Sequence, residues 1–474
     1  MSGYYNDARM IGDYVYVIAS QPTYYYKDQP IPVPFVTEGN ESKRAAPQSI
    51  YHPIHPYYGN NYVNVIGLNA QNYNEGYASK TFLGEGQNIY VSQNNIYLAN
   101  TAYEPQASIL ETAAEAIPGG EAAIRAMPII SREQTEKTII NKISIEKGKI
   151  EYKGDGSVPG HALNQFSMDE HNGYFRIATT TGNNWGGGIS KNNIYVLDEN
   201  LKNVGAVEDL APGESMYSAR FMGNRAYLVT FKQVDPLFVI DLSQPEQPKL
   251  LGKLKIPGYS NYLHPYDENH VIGIGKDVDE SIDADKVHTE GAVYYTAIKG
   301  VKLSLFDVSD VEHPAEVSKY VIGDRGTESA ALTDHKTFLF SKQKNLLVIP
   351  VQLAQIDARK YNGNVPTDAQ GDFTFQGAYV FNLDTAKGFQ LKGRITHLDT
   401  NESLQKSGYY FDSAYAVKRS LYMDDVLYTI SDKAIKMNSL PNMEELNSVK
   451  LPDLERGPYV YNIVAKQMNQ FRGE

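Results

Sequence analysis

Apolar and polar positions along this chain come in short bursts broken by small turn residues, the habit of strands joined by tight turns and not of helices. One form recurs in seven places: DARMIGDYVYVI (7–18), GEGQNIYVSQNNIYLA (84–99), SMDEHNGYFRIATT (167–180), SARFMGNRAYLVTF (218–231), HPYDENHVIGIG (264–275), LTDHKTFLFSKQKNLLVIPV (332–351) and SLYMDDVLYTIS (420–431). In each, β-favouring residues bracket Gly, Asn or Asp. Those residues reach the positive φ of a hairpin turn, so each segment predicts a pair of antiparallel strands.

Between the hairpins lies a second unit, an apolar run that ends in Asp or Asn before a polar loop. Asp198, Asp241, Asp307, Asn382 and Asn438 occupy its closing position, where an Asx side chain can cap the turn backbone. Pro245, Pro248 and Pro314 keep the loops from continuing as strand or helix. Looser copies stand near residue 64 (NVIGLNAQ) and residue 138 (TIINKISIEKGKIEYKG).

Two strands of this unit followed by a hairpin make a four-stranded antiparallel blade, and repetition of such blades is the sequence mark of a β-propeller. On that phasing the hairpin at 7–18 lacks its two leading strands, and the run at 433–451 lacks its hairpin. The expectation is an all-β, seven-bladed β-propeller over residues 1–474, a single domain closed by pairing N- and C-terminal strands. An open repeat or a two-sheet sandwich would leave both orphan halves unused.

Two stretches interrupt the pattern. Residues 21–61, rich in Pro and Tyr, read as a long loop over one face. Over residues 104–127, Ile109, Leu110, Ala113, Ala114 and Ile117 recur at helical spacing before Gly119 and Gly120, so a small helical insertion is expected there.

Composition narrows the function. A net charge of −12 with no basic stripe argues against nucleic acid as a partner. No apolar run reaches the roughly 18–20 residues that cross a bilayer as a helix. The absence of cysteine removes disulfides, thiolate metal sites and Cys nucleophiles at once. Tyrosine is abundant, 36 against a single Trp, as suits half-buried strands whose hydroxyls must reach a partner. The sequons at Asn40 and Asn401 are compatible with export.

With these motifs in view the chain resembles the archaeal and bacterial family of secreted proteins containing a C-terminal beta-propeller domain. The resemblance is carried by YYNDARMIGDYVYVIASQP, YVSQNNIYLA, GHALNQFSMDEHNGYFRIATTTG, YLHPYDENHVIGIGKD, GVKLSLFDVSDVEHPAEVSKYVIG and VLYTISDKAIKMNSL, and it covers nearly the whole chain. It implies a propeller and secretion, with further strands and a secretion signal upstream of the first of these segments. It implies no chemistry for any residue.

Candidate sites are few. His52 and His55 lie three apart, but the prolines between and around them favour a plain loop. Asp277, Asp279, Ser281, Asp283 and Asp285 alternate like the oxygen ligands of a calcium loop, yet Ile282 and His288 stand where Gly and Glu belong, so calcium is the one cofactor considered. Trp185, in a Gly/Asn-rich loop, has the ring to stack on a sugar or anchor a partner. Arg9, Arg176 and Arg220 lie at or in hairpin strands, where they either converge or pair with local carboxylates. No G-x-S-x-G elbow, sialidase box or Trp-rich blade is present, and no catalytic residue is assigned. The expected function is a non-catalytic binding module at the cell surface, for a protein or glycan. A structural role in an envelope assembly, with self-association, and a hydrolase with a site on the propeller face are the alternatives.

Overall fold

A computed structural model describes residues 1–23, 32–51, 61–84, 86–109, 130–182, 189–231, 235–279, 298–399, 404 and 414–452. Among these the strands sort into seven sheets, drawn from residues 4–83, 88–159, 168–210, 215–256, 259–322, 339–395 and 419–450, and one two-stranded ribbon. Six of the sheets are simple four-stranded meanders, each strand paired with its neighbour in sequence. By contact density the chain divides into two compact units, Met1–Ile272 with Phe306–Glu316 and Gly273–Leu305 with Val317–Glu474.

The predicted hairpins are present, and their turns use the expected backbone. Asn172 and Gly173 both have positive φ, 52° and 83°, between Met168–His171 and Tyr174–Thr181. Gly12, Gly223 and Asp424 do the same at three other tips. The segment at 332–351 is the exception in extent. Its strands are Leu339–Ser341 and Leu346–Gln355, and the residues before them form 3-10 turns instead.

The second unit also appears, with two changes at its closing position. Asp198 Oδ1 accepts from the backbone N–H of Asn200 and Lys202, both at 2.9 Å, Asp241 accepts from Ser243 N–H at 2.8 Å, and Asp307 from Ser309 N–H at 2.9 Å. In the fourth copy Asp384, not Asn382, does this, accepting from Ala386 and Lys387 N–H. In the fifth, Asn438 donates its amide to the Met443 carbonyl at 3.1 Å.

The phase of the blade is the reverse of that expected. Each hairpin precedes its second unit: Thr179 of Tyr174–Thr181 pairs with Asn193 of Lys191–Leu197, so the hairpin leads and the unit follows. The orphan halves therefore vanish. Tyr14–Pro22 pairs with Asn61–Asn69, which pairs with Tyr77–Leu83. At the other end Arg419–Met423, Val426–Ile430, Ala434–Ser439 and Glu445–Lys450 complete a sheet of their own. The expected pairing of residues 7–18 with 433–451 is absent, because each finds its partners among sequence neighbours, where the loop to be closed is short.

Burial explains why the middle strands are apolar throughout while the last strand of a sheet is not. Lys191–Leu197 and Arg225–Phe231 are buried at nearly every position, since a sheet packs against each of their faces. One core joins Ala178, Ile194 and Val196 to Ala219, Leu228 and Phe238 of the next sheet. Within the second unit another joins Val348 and Val380 to Val417 and Leu427. Glu445–Lys450, by contrast, is exposed at all six positions and carries charge at its ends, which discourages a stray strand from adding to the edge.

The two insertions differ from expectation. Residues 104–109 are not helical but continue the strand Asn95–Ile109, in register with Ile130–Glu146 up to the pair Ile109–Ile130. The antiparallel ladder pairs the facing backbone groups of these two strands, which the spacing of apolar side chains does not reveal. The remainder of the predicted helix lies outside the described residues. Within residues 21–61, Phe35–Glu38 and Glu41–Arg44 form a two-stranded ribbon, and Ile50–Tyr51 adds in parallel to Tyr77–Leu83.

Candidate functional site

In the first unit, three opening strands and one turn meet. The 3-10 turn Gln165–Ser167 is fixed by Asn164, whose Oδ1 accepts from Phe166 N–H at 2.9 Å. The Phe166 ring packs 5.1 Å from that of Tyr262, on Tyr259–Asp267, at an angle of 55°. The Arg220 guanidinium, on Ser215–Met222, sits 4.9 Å over the same ring. Arg9, on Tyr4–Ile11, reaches the turn from elsewhere in sequence, donating to Gln165 Oε1 at 3.4 Å and to Asp7 Oδ1 at 2.5 Å. Tyr262 Oη and His264 Nδ1 share a hydrogen bond of 2.9 Å.

Two of the arginines singled out by sequence thus come to one place, and the third lies close by with a different task. Arg176 is buried and pairs with Asp169, its cross-strand neighbour, while donating to the Gly223 carbonyl at 2.6 Å. Its guanidinium lies 5.3 Å over Phe221. Asp169 also accepts from Tyr90 Oη at 3.1 Å, and burial pushes the Tyr90 hydroxyl well above the usual tyrosine range. Arg220 has no such carboxylate among the described residues. Burial pushes its guanidinium below its ordinary value, and the Asp169 carboxylate acts on it only through its charge.

The other expectations fare unevenly. Asp277 lies on His270–Val278, and Asp279, just beyond it, makes an ion pair of 3.0 Å with Lys299. Ser281, Asp283, Asp285, Trp185, His52, His55 and Asn401 lie outside the described residues. Among the described residues no three acidic or imidazole groups gather closely enough to hold a metal ion.

The second unit holds a pocket of about 500 Å³ that the sequence did not announce, bordered by Glu328, Asp334, Gln376, Lys418, Arg419 and Asp432. Its charges are matched in pairs. Arg419 Nη2 lies 2.8 Å from Asp334, Lys418 Nζ 2.5 Å from Asp432, and Lys276 Nζ 2.7 Å from Glu328. Burial pushes the Asp334 carboxyl up, but hydrogen bonds from Arg419 and Lys336 N–H outweigh it and hold the group below its ordinary value. Arg419 Nη1 is buried with no partner among the described residues. Beside the pocket, His397 bonds Ser431 Oγ and Thr429 Oγ1, each at 2.9 Å. Ser431 Oγ already donates to the Ala434 carbonyl, so Nδ1 carries the proton and Nε2 accepts from Thr429. Burial pushes the imidazole down to about 4, so it is neutral at pH 7. The missed signal is long-range: residues 328–337, 350–352, 376 and 416–432 meet only in the fold.

The family model described as "Beta propeller domain" matches residues 1–443. The chain belongs to the beta-propeller domain family. The propeller is 32% identical over 501 residues to an uncharacterised protein of Archaeoglobus fulgidus, covering 95% of this chain and 68% of that one. It is 43% identical over 218 residues to an uncharacterised protein of Methanocaldococcus jannaschii, covering 46% of this chain but 31% of the relative. Among solved structures it is similar to Sqt1 of Saccharomyces cerevisiae, at 10% identity and TM-score 0.37, over 84% of this chain and 83% of the other. BamB from Moraxella catarrhalis follows at 11% identity and TM-score 0.35, over 67% and 74%.

Proposed function

We propose that this chain is a non-catalytic binding module, a seven-bladed propeller that works outside the cell and whose partner is a protein. The observation that carries the reading is the pocket around Arg419. Its charges are neutralised in pairs, its neighbouring imidazole is neutral and held at both nitrogens, and one arginine donor is left unspent. An imidazole pushed down to about 4 and a carboxylate held below its ordinary value by a paired arginine are weak bases at pH 7, which disfavours proton-transfer chemistry by these groups. The same arrangement suits a polar segment that supplies an acceptor to Arg419 and excludes water. Location outside the cell is supported by the family resemblance of the sequence.

The test is to probe the full chain against arrays of peptides and of glycans, then repeat with Arg419→Gln. Peptide hits that weaken at least about tenfold in the variant are expected. Hits on glycans alone would move the partner class. Turnover of a glycoside or peptide, abolished by Asp334→Asn, would make the protein a hydrolase and end the reading.

A further inference from the structure

Arg220 breaks the pairing that holds for its neighbours. Arg9 has Asp7, and Arg176 has Asp169. The Arg220 guanidinium makes no hydrogen bond or ion pair with any described residue, and it rests instead on the Phe166 ring. Arg220 is partly buried, and the share of its guanidinium taken from water costs desolvation energy that an anion normally offsets, while its donors stay open to solvent. Stacking on one ring offsets only part of it. The nearest carboxylate, Asp169, is already taken by Arg176 and by the Tyr90 hydroxyl.

We propose that Arg220 is the anion-recognising group of a ligand site in the first unit, taking a carboxylate of the bound partner in its guanidinium fork while Phe166 supports the plane. The surroundings favour that anion. The fork presents parallel N–H donors spaced for two carboxylate oxygens. Asp169 acts on Arg220 through its charge, and the chain as a whole carries −12, so a dianion meets more repulsion here than a monoanion does. The rings of Phe166 and Tyr262, packed together, offer an apolar wall beside the cation. The inference rests on the binding reading, and the two fail separately, since the Arg419 pocket belongs to the other unit.

Sodium benzoate and inorganic phosphate are the probes, added to the full chain while the arginine side-chain N–H resonances are followed by NMR. Benzoate is expected to shift one arginine resonance to saturation, with phosphate at least about tenfold weaker. Arg220→Gln should abolish the shift, and Arg220→Lys, which keeps the charge but loses the fork, should weaken benzoate about tenfold or more. Thermal unfolding of Arg220→Gln at no lower temperature than the native chain is expected, whereas a purely structural arginine would lower it. Benzoate that binds Arg220→Gln as tightly as the native chain, or that moves no arginine resonance, overturns the proposal. Phosphate as the tighter probe overturns the carboxylate assignment, and peptide hits lost only on Arg419 substitution leave the module standing without this site.

Discussion

Around Phe166 positive charge is left over; around Arg419 it is matched. In the first region one arginine lies on an aromatic ring with no carboxylate paired to it among the described residues, and in the second Asp334, Asp432 and Glu328 answer each cation. The contrast separates charge that builds the fold from charge held at its expense. A paired arginine steadies its neighbourhood, and its loss orphans an anion. An unpaired one carries a desolvation cost that folding does not recover, so its removal should be harmless to stability.

Substitution can break that comparison directly. Arg176→Met should cost the most, about 3 kcal/mol in urea unfolding, because it removes a buried cation and leaves the partly buried Asp169 without its partner. If Arg176→Met proves as mild as Arg220→Met, pairing is not what distinguishes the two arginines. Acid is the next lever. Folding lowers the His397 pKa from 6.5 to about 4, so the unfolded chain holds that proton more tightly; stability is whole above about pH 6.5 and should fall by about 2–3 kcal/mol as pH drops to 4. His397→Gln should flatten that stretch of the stability–pH curve, and an unchanged slope would remove His397 as its cause.

Smaller effects sharpen the picture. Arg220→Met should leave stability unchanged or raise it by about 1 kcal/mol, measured in the same urea series; a clear loss would mean that Arg220 does structural work. Lys418→Ala removes an ion pair whose partners are both about half exposed, and should shift stability by no more than about 0.5 kcal/mol. His161 behaves with the opposite sign to His397. Its hydrogen bond with Glu136 raises its pKa, so its small contribution is present below the unfolded pKa and is lost as pH rises through the folded one. Glu136→Gln should erase that alkaline decline.

Most of the strands were legible because hairpins announce themselves locally. A positive-φ pair such as Asn172–Gly173 between β-favouring runs admits few other conformations. The phase was not legible, since strands on either side of a hairpin carry the same apolar signal and only hydrogen bonds such as Thr179–Asn193 decide between them. For the same reason residues 104–109 were misread: apolar spacing over a few residues fits a helix, and the ladder to Ile130–Glu146 overrode it. Of the site, Arg9 and Arg220 were visible as charges in apolar strands, an expensive placement that asks for a reason. Phe166 and Tyr262 were not, because nothing local distinguishes a ring that packs on an arginine from one that packs on a leucine. His397 and Arg419 were hidden for a similar reason, their partners arriving from segments distant in sequence.

Six of the seven sheets among the described residues are completed by strands that follow one another in sequence, and this shapes how the protein is made. A ribosome delivers the chain in the order in which those strands pair, so one meander can set before the next has left the exit tunnel. In those six sheets the nascent chain does not have to hold a half-built sheet open while it waits for its own far end, and the apolar middle strands spend the least time uncovered.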